Sequence, residues 1–237
     1  MLMISCQEPN NMNLRNKEQN PPEKFFEGSQ LVCAQKIFDN NIQELKNILE
    51  KNPELLNKLS DKKGYTLLMY SSILENLEAM KLLLKKGADP NIIIPYLNNS
   101  PLSQAVASNN YQMLNLLLKY KTSLNPSVGK SPLVVALMIE GEDNEKKMID
   151  YLLKNCANIN HSSYLGHNIM ESAARDHIET AKIFIKKGGN PIIRNTKISP
   201  IAEFMTWKEK EISKHKSINE KYKNKFFSLK KNSTEPI

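Results

Sequence analysis

Cysteine is scarce in this chain of 237 residues. The three present, Cys6, Cys33 and Cys156, are too few for a disulfide framework and lack the paired spacing of a zinc site. Cys33 and Cys156 are therefore expected to behave as small buried apolar side chains, the usual fate of a free thiol. Long apolar runs are missing too. No stretch reaches the roughly 18 residues that a membrane-spanning helix needs. Glycine is rare, at 8 residues, while apolar side chains make up 40% of the chain. That balance argues for a mostly helical protein.

Catalytic signatures are also wanting. His161, His167, His177 and His215 show no metal-ligand spacing, and the chain holds no HExxH, no paired CxxC and no GxSxG. Gly129-Lys130-Ser131 has the ending of a phosphate loop, but position 124 is Leu124 and not the glycine such a loop requires. The expectation is a non-catalytic chain with no cofactor and no metal, in which His161 and His167 are surface contacts.

The formal charge is +8, and it is unevenly placed. Between Trp207 and Lys231 stand nine lysines against three glutamates, whereas residues 1–206 carry 24 basic and 21 acidic side chains. In the basic stretch Ile218, Tyr222, Phe226 and Leu229 recur at helical spacing. An apolar face implies docking, so the lysines are expected on the solvated side of a closing helix, with a surface for anionic lipid or an acidic partner as the alternative. Nucleic acid is not an expected partner, because the remaining sequence supplies no basic stripe to extend the patch.

Self-similarity organises what lies between the termini. Residues 61–91 combine Gly64, Thr66, Leu68, Ser71, an Asn76-Leu77-Glu78 turn, Leu82-Leu83-Leu84 and Gly87-Ala88-Asp89-Pro90-Asn91. The opening element recurs as Ser100-Pro101-Leu102, Ser131-Pro132-Leu133, Asn168-Ile169-Met170 and Ser199-Pro200-Ile201, with starts spaced by 34, 31, 37 and 31 residues. Each piece has a physical role. Ser, Thr or Asn caps the free amides of a first turn, and proline next to it is preset for a helix. Ser71, Ala105, Ala136 and Ala173 keep the first helix thin, while Met80, Leu83 and Leu84, or Leu114, Leu117 and Leu118, or Ile149, Leu152 and Leu153, line the second. Gly87 and Gly188 end second helices in the left-handed region; Lys121 and Cys156 hold the equivalent positions, where caps should be weaker.

This pattern and its period of about 33 residues resemble the ankyrin repeat. The resemblance implies an all-α solenoid of helix-turn-helix units joined by hairpin loops. Its expected parts are a capping helix pair at 29–57 and repeats at 58–91, 92–125, 126–160 and 161–192. A closing repeat with the basic helix follows at 193–231, then a short tail at 232–237. The third repeat is four residues longer between Ser131 and Cys156 than the first is between Thr66 and Gly87. The excess around Gly141-Glu142-Asp143-Asn144 is expected as an exposed acidic loop.

By the same resemblance, hairpin tips and first helices line a concave face that binds proteins. Carried onto this sequence, that face holds Lys62, Lys63, Tyr65 and Tyr70, then Tyr96 and Gln104. It continues through Lys130, Val135, Tyr164, His167, Ser172 and Arg175. Tyrosine and arginine are the residues interface hot spots favour. Tyr65 and Tyr164 could instead pack between neighbouring hairpins.

The N-terminal sequence suggests a setting. Met3-Ile4-Ser5-Cys6 resembles the end of a bacterial lipoprotein signal, with Cys6 as the acylated residue of a longer precursor. Residues 7–28, polar and rich in Asn, Gln, Glu and Pro at their start, would be a flexible tether. The alternative is an ordinary disordered terminus. Gln7 after the cysteine resembles outer-membrane sorting and implies the periplasm. Together these resemblances imply an immunity protein, monomeric when free, that binds a toxic effector such as a phospholipase delivered by type VI secretion. Such a complex would be 1:1. A cytosolic or host-directed adaptor is the competing reading.

Overall fold

Short polar side chains cap the starts of five of the described helices. The computed structural model describes residues 17–95, 97–161, 173 and 178–189. Among them every regular element is helical, and the one extended pairing is an isolated antiparallel bridge between Ile94 and Asn99. The all-α class expected from the sequence is the class observed.

The helices are α1 (Gly28–Phe38), α2 (Ile42–Lys51), α3 (Leu67–Ile73), α4 (Leu77–Lys85), α5 (Pro101–Ala107), α6 (Tyr111–Lys119), α7 (Pro132–Ala136), α8 (Glu142–Lys154) and α9 (Ile178–Lys186). They fall into two units that divide between Ser123 and Leu124. In the first, α1, α3 and α5 stack as one layer, and α2, α4 and α6 stack as another behind it.

Caps explain the regularity of that unit. The Thr66 hydroxyl accepts from the Met69 amide at 3.1 Å, and the Ser100 hydroxyl accepts from the Ser103 amide at 3.1 Å. Second helices use asparagine: Asn41, Asn76 and Asn110 accept from the amides of Glu44, Ala79 and Met113 at 3.0–3.1 Å. Each such cap is worth about 1 kcal/mol. The same asparagines reach backwards. Asn76 Nδ2 donates to the Ile37 carbonyl at 2.9 Å and to Asn40 Oδ1 at 3.1 Å, and Asn110 Nδ2 donates to Glu75 Oε2 at 3.0 Å. One side chain therefore both starts a helix and ties it to the preceding pair.

A second asparagine series orders the hairpins. Asn57 accepts from the Asp89 amide at 2.8 Å and donates to the Gly87 carbonyl at 3.3 Å, and Asn91 accepts from the Ser123 amide at 2.8 Å. Gly64 sits at φ +66°, and a Cβ there would lie 3.1 Å from Pro95 of the following hairpin. Behind these loops Met80, Leu83, Met113, Leu114 and Leu117 are fully buried, each contributing about 1.5–3 kcal/mol of apolar burial.

In the second unit α7 packs on α8. Asn125 repeats the hairpin pattern, accepting from the Asn158 amide at 2.7 Å and donating to the Cys156 carbonyl at 3.4 Å. Met148, Leu152, Ala173 and Phe184 are fully buried. Glu145, also buried, accepts from the Thr180 hydroxyl at 2.6 Å.

Three expectations need correction. The extra length near Gly141 is not a loop: Gly141, at φ +87°, precedes α8, whose 13 residues begin at Glu142, against 9 in α4 and in α6. Glu142, Asp143 and Glu145 occupy its first turn, where the helix dipole favours carboxylates. Cys156 is exposed, not buried, because it sits at φ +70° just beyond the end of α8 and not on its apolar side. Finally, the expected tether at 7–28 ends early. Pro22–Lys24 form a single 3-10 turn, with Phe25 3% and Phe26 0% exposed, because the two rings find an aromatic surface on α3.

Candidate functional site

The N-terminal end of the expected binding face is built from two segments far apart in sequence. One is the hairpin Ser60–Tyr65, closed by the Ser60 amide donating to the Tyr65 carbonyl at 2.9 Å and the Tyr65 amide donating to Ser60 Oγ at 2.9 Å. The other is α3, which carries Tyr70 on its inner side. Across both lies a strap, Asn20–Phe26.

Aromatic geometry holds the strap. The Phe25 ring centroid lies 4.8 Å from that of Tyr65 and 5.6 Å from that of Tyr70, and Phe26 meets Tyr70 edge-on at 5.2 Å. Such pairs contribute about 0.5–1.5 kcal/mol each beyond area burial. Polar contacts fix the register: Tyr70 Oη donates to the Asn20 carbonyl at 2.9 Å, and Lys62 Nζ donates to the Glu23 carbonyl at 3.0 Å. The ammonium groups of Lys24 and Lys63 stand 5.4 and 5.3 Å from the Phe25 centroid, within cation–π range. Burial pushes the Tyr70 hydroxyl far above its ordinary 10.0, with the nearby charges of Glu23 and Asp39 adding to the shift. Burial alone raises that of Tyr65.

This arrangement corrects part of the expected face. Lys62 and Lys63 are exposed, and both touch the strap, Lys62 at the Glu23 carbonyl and Lys63 over the Phe25 ring. Tyr65, at 7%, and Tyr70, at 0%, are covered, because the rings of the strap pack against both. Gln104 is half-buried on α5, and its main-chain carbonyl accepts from Ser108 Oγ at 3.0 Å. In the second unit Lys130 is exposed, but Val135 is 5% exposed and belongs to the core of α7. Tyr96, Tyr164, His167, Ser172, Arg175 and Cys6 lie outside the described residues, as does the basic segment after residue 192.

Sequence reasoning misses Phe25, Phe26 and Lys24. Their signal is a pair of adjacent phenylalanines two residues beyond Pro21-Pro22, in a stretch otherwise polar. The thiols differ sharply: burial, and then the charge of Glu54, pushes Cys33 up to about 11, while Cys156 is exposed. Among the described residues no cluster of His, Cys, Asp and Glu could hold a metal ion, and no helix is long and apolar enough to cross a membrane. His161 places Nε2 2.8 Å from the Pro126 carbonyl, a hairpin contact.

What the geometry offers is a surface of hairpin tips and short helices. A family model described as ankyrin repeats (3 copies) matches residues 30–128 and residues 102–195. Among curated proteins none matches the chain.

Proposed function

The chain belongs to the ankyrin-repeat family, and from that premise we propose that it is a non-catalytic binder of a single protein partner, an immunity protein that neutralises a toxic secreted enzyme. Ankyrin repeats indicate a protein–protein interaction module. The observation that carries the binding reading is that the family match spans both units, and exposed hairpin residues such as Lys62, Lys63 and Lys130 recur along the chain. A specific partner needs an interface of about 1,200–2,000 Å² in total, which several consecutive repeats can supply.

The setting rests on sequence. Met3-Ile4-Ser5-Cys6 resembles a lipoprotein acylation site, and the polar residues that follow suit a tether between membrane and domain. On this reading Cys6 carries the lipid, the domain works in the periplasm, and the client is an effector such as a phospholipase, bound 1:1. Blocking such an enzyme requires only occupation of its surface, so the inhibitor contributes affinity and no reacting group.

Co-expression tests this directly. A secreted toxic enzyme encoded beside this gene should lose its toxicity when the chain is present, and a 1:1 complex should survive gel filtration. Gln104→Ala combined with Lys130→Glu should weaken that complex at least tenfold. Unaltered toxicity with every neighbouring secreted enzyme, or Cys6→Ser leaving palmitate incorporation unchanged, would count against the immunity setting. Capture of a cytosolic partner would favour the adaptor reading.

A further inference from the structure

A surface that the family architecture offers to partners is already filled here, and by the chain itself. The strap crosses α3 with Pro21 extended and Pro22–Lys24 in a 3-10 turn, and ends with two rings inserted against Tyr65 and Tyr70. It is held as a bound peptide is held. Two anchoring side chains are buried, at 3% and 0% exposure. Two hydrogen bonds go to its main-chain carbonyls, from Tyr70 and from Lys62. Proline fixes much of its backbone in advance, which lowers the ordering cost of docking.

We propose that the Tyr65–Tyr70 surface is a binding site for short peptides that follow a proline pair with one 3-10 turn and two adjacent aromatic residues, and that residues 20–26 are its resident occupant. The site rests on the protein-binding reading above and uses one of its exposed lysines, Lys62, as a donor to a main-chain carbonyl. It accepts aromatic side chains and main-chain carbonyls, not carboxylates. Because Phe26 is separated from the start of α1 at Gly28 by one residue, the occupant is tethered at an effective concentration of about the millimolar range or above. A competing segment reaches the site only if it outmatches that local concentration. The strap thus keeps the site closed toward weak aromatic sequences and open only to a tight one.

The probe is a synthetic peptide covering residues 18–28, labelled for fluorescence anisotropy, added to the full chain. In the variant Phe25→Ala with Phe26→Ala, checked for helical content by circular dichroism, the peptide is expected to bind at least tenfold more tightly than to the unaltered chain. It should also raise the variant's Tm. A peptide with both phenylalanines replaced by alanine should do neither. If the double variant does not fold, the same comparison is made with Phe25→Ala alone, which leaves Phe26 in the core. No binding to a folded variant, equal binding to the unaltered chain, or equal binding of the alanine peptide would each overturn the proposal. The probe contains only this chain's own sequence, so failure here leaves the effector-binding reading intact, and failure of that reading leaves the peptide result intact.

Discussion

The Tyr70 hydroxyl donates to the carbonyl of Asn20, fifty positions upstream, at 2.9 Å. This bond couples the strap to α3 and allows a clean comparison. Tyr70→Phe keeps the ring that contacts Phe25 and Phe26 and removes only the donor, so it should cost about 0.5–1.5 kcal/mol. Phe26→Ala removes a fully buried ring and should cost about 3–5 kcal/mol. Urea denaturation followed by circular dichroism measures both. Equal small losses would mean that the strap adds nothing to the unit's stability.

Alkaline pH should loosen the same region. Tyr70 and Cys33 both have their pKa raised in the fold, Tyr70 from 10.0 and Cys33 from 9.0 to about 11, in each case chiefly by burial. A raised acid holds its proton longer when folded, so the folded state binds more protons than the unfolded chain. Their contribution is complete below about pH 9 and is lost as pH rises, from 9.0 to about 11 for Cys33 and above 10.0 for Tyr70. Melting curves between pH 7 and pH 11 should show Tm falling from about pH 9, and Cys33→Ala should delay that fall by about one pH unit. An onset unmoved by Cys33→Ala would show that another group controls it.

Hairpin order depends on Asn57 and Asn91. Asn57 makes two bonds to the following repeat and Asn91 one to the Ser123 amide. At about 0.5–1.5 kcal/mol per bond, Asn57→Ala should cost roughly twice what Asn91→Ala does. Hydrogen exchange should report the loss locally, at the Asp89 amide in the first variant and the Ser123 amide in the second. Loss of protection spread evenly over the unit would contradict a local tie.

Much of this is legible in the sequence, and the reasons are physical. Thr66 and Ser100 are readable as caps because capping is settled within three residues of the side chain that performs it. Tyr70 is not readable as buried. Its exposure depends on what covers α3, and the cover lies fifty residues away. Phe25-Phe26 carry a signal, yet the polar composition before them masks it. Gly141 followed by three acidic residues within four positions is a helix start, but excess length over the neighbouring repeats points to a loop when spacing alone is weighed. Cys156 is recognisable from the repeat spacing as a glycine equivalent. Burial by residue type does not extend to it, because a left-handed residue beyond a helix end faces solvent whatever its type.

That last position gives the most discriminating test of the repeat geometry. Helices α4, α6 and α8 are each followed by a residue in the left-handed region: Gly87 at φ +95°, Lys121 at φ +58° and Cys156 at φ +70°. A side chain there strains the backbone by about 1–2 kcal/mol, whereas glycine gains freedom in the unfolded chain that offsets about 0.5–1 kcal/mol. Strain outweighs that entropy, so Lys121→Gly and Cys156→Gly should each stabilise the protein by about 0.5–1 kcal/mol. Gly87→Ala should destabilise it by a similar amount, although nothing lies within 4 Å of the added Cβ. The empty space makes the argument sharp, because any loss in that variant comes from the backbone and not from a clash. Urea midpoints of the three variants must move in opposite directions for glycine gained and glycine lost. Reversed signs, with loss on gaining glycine and gain on losing it, would mean that unfolded-state entropy, and not the left-handed conformation, governs these helix ends.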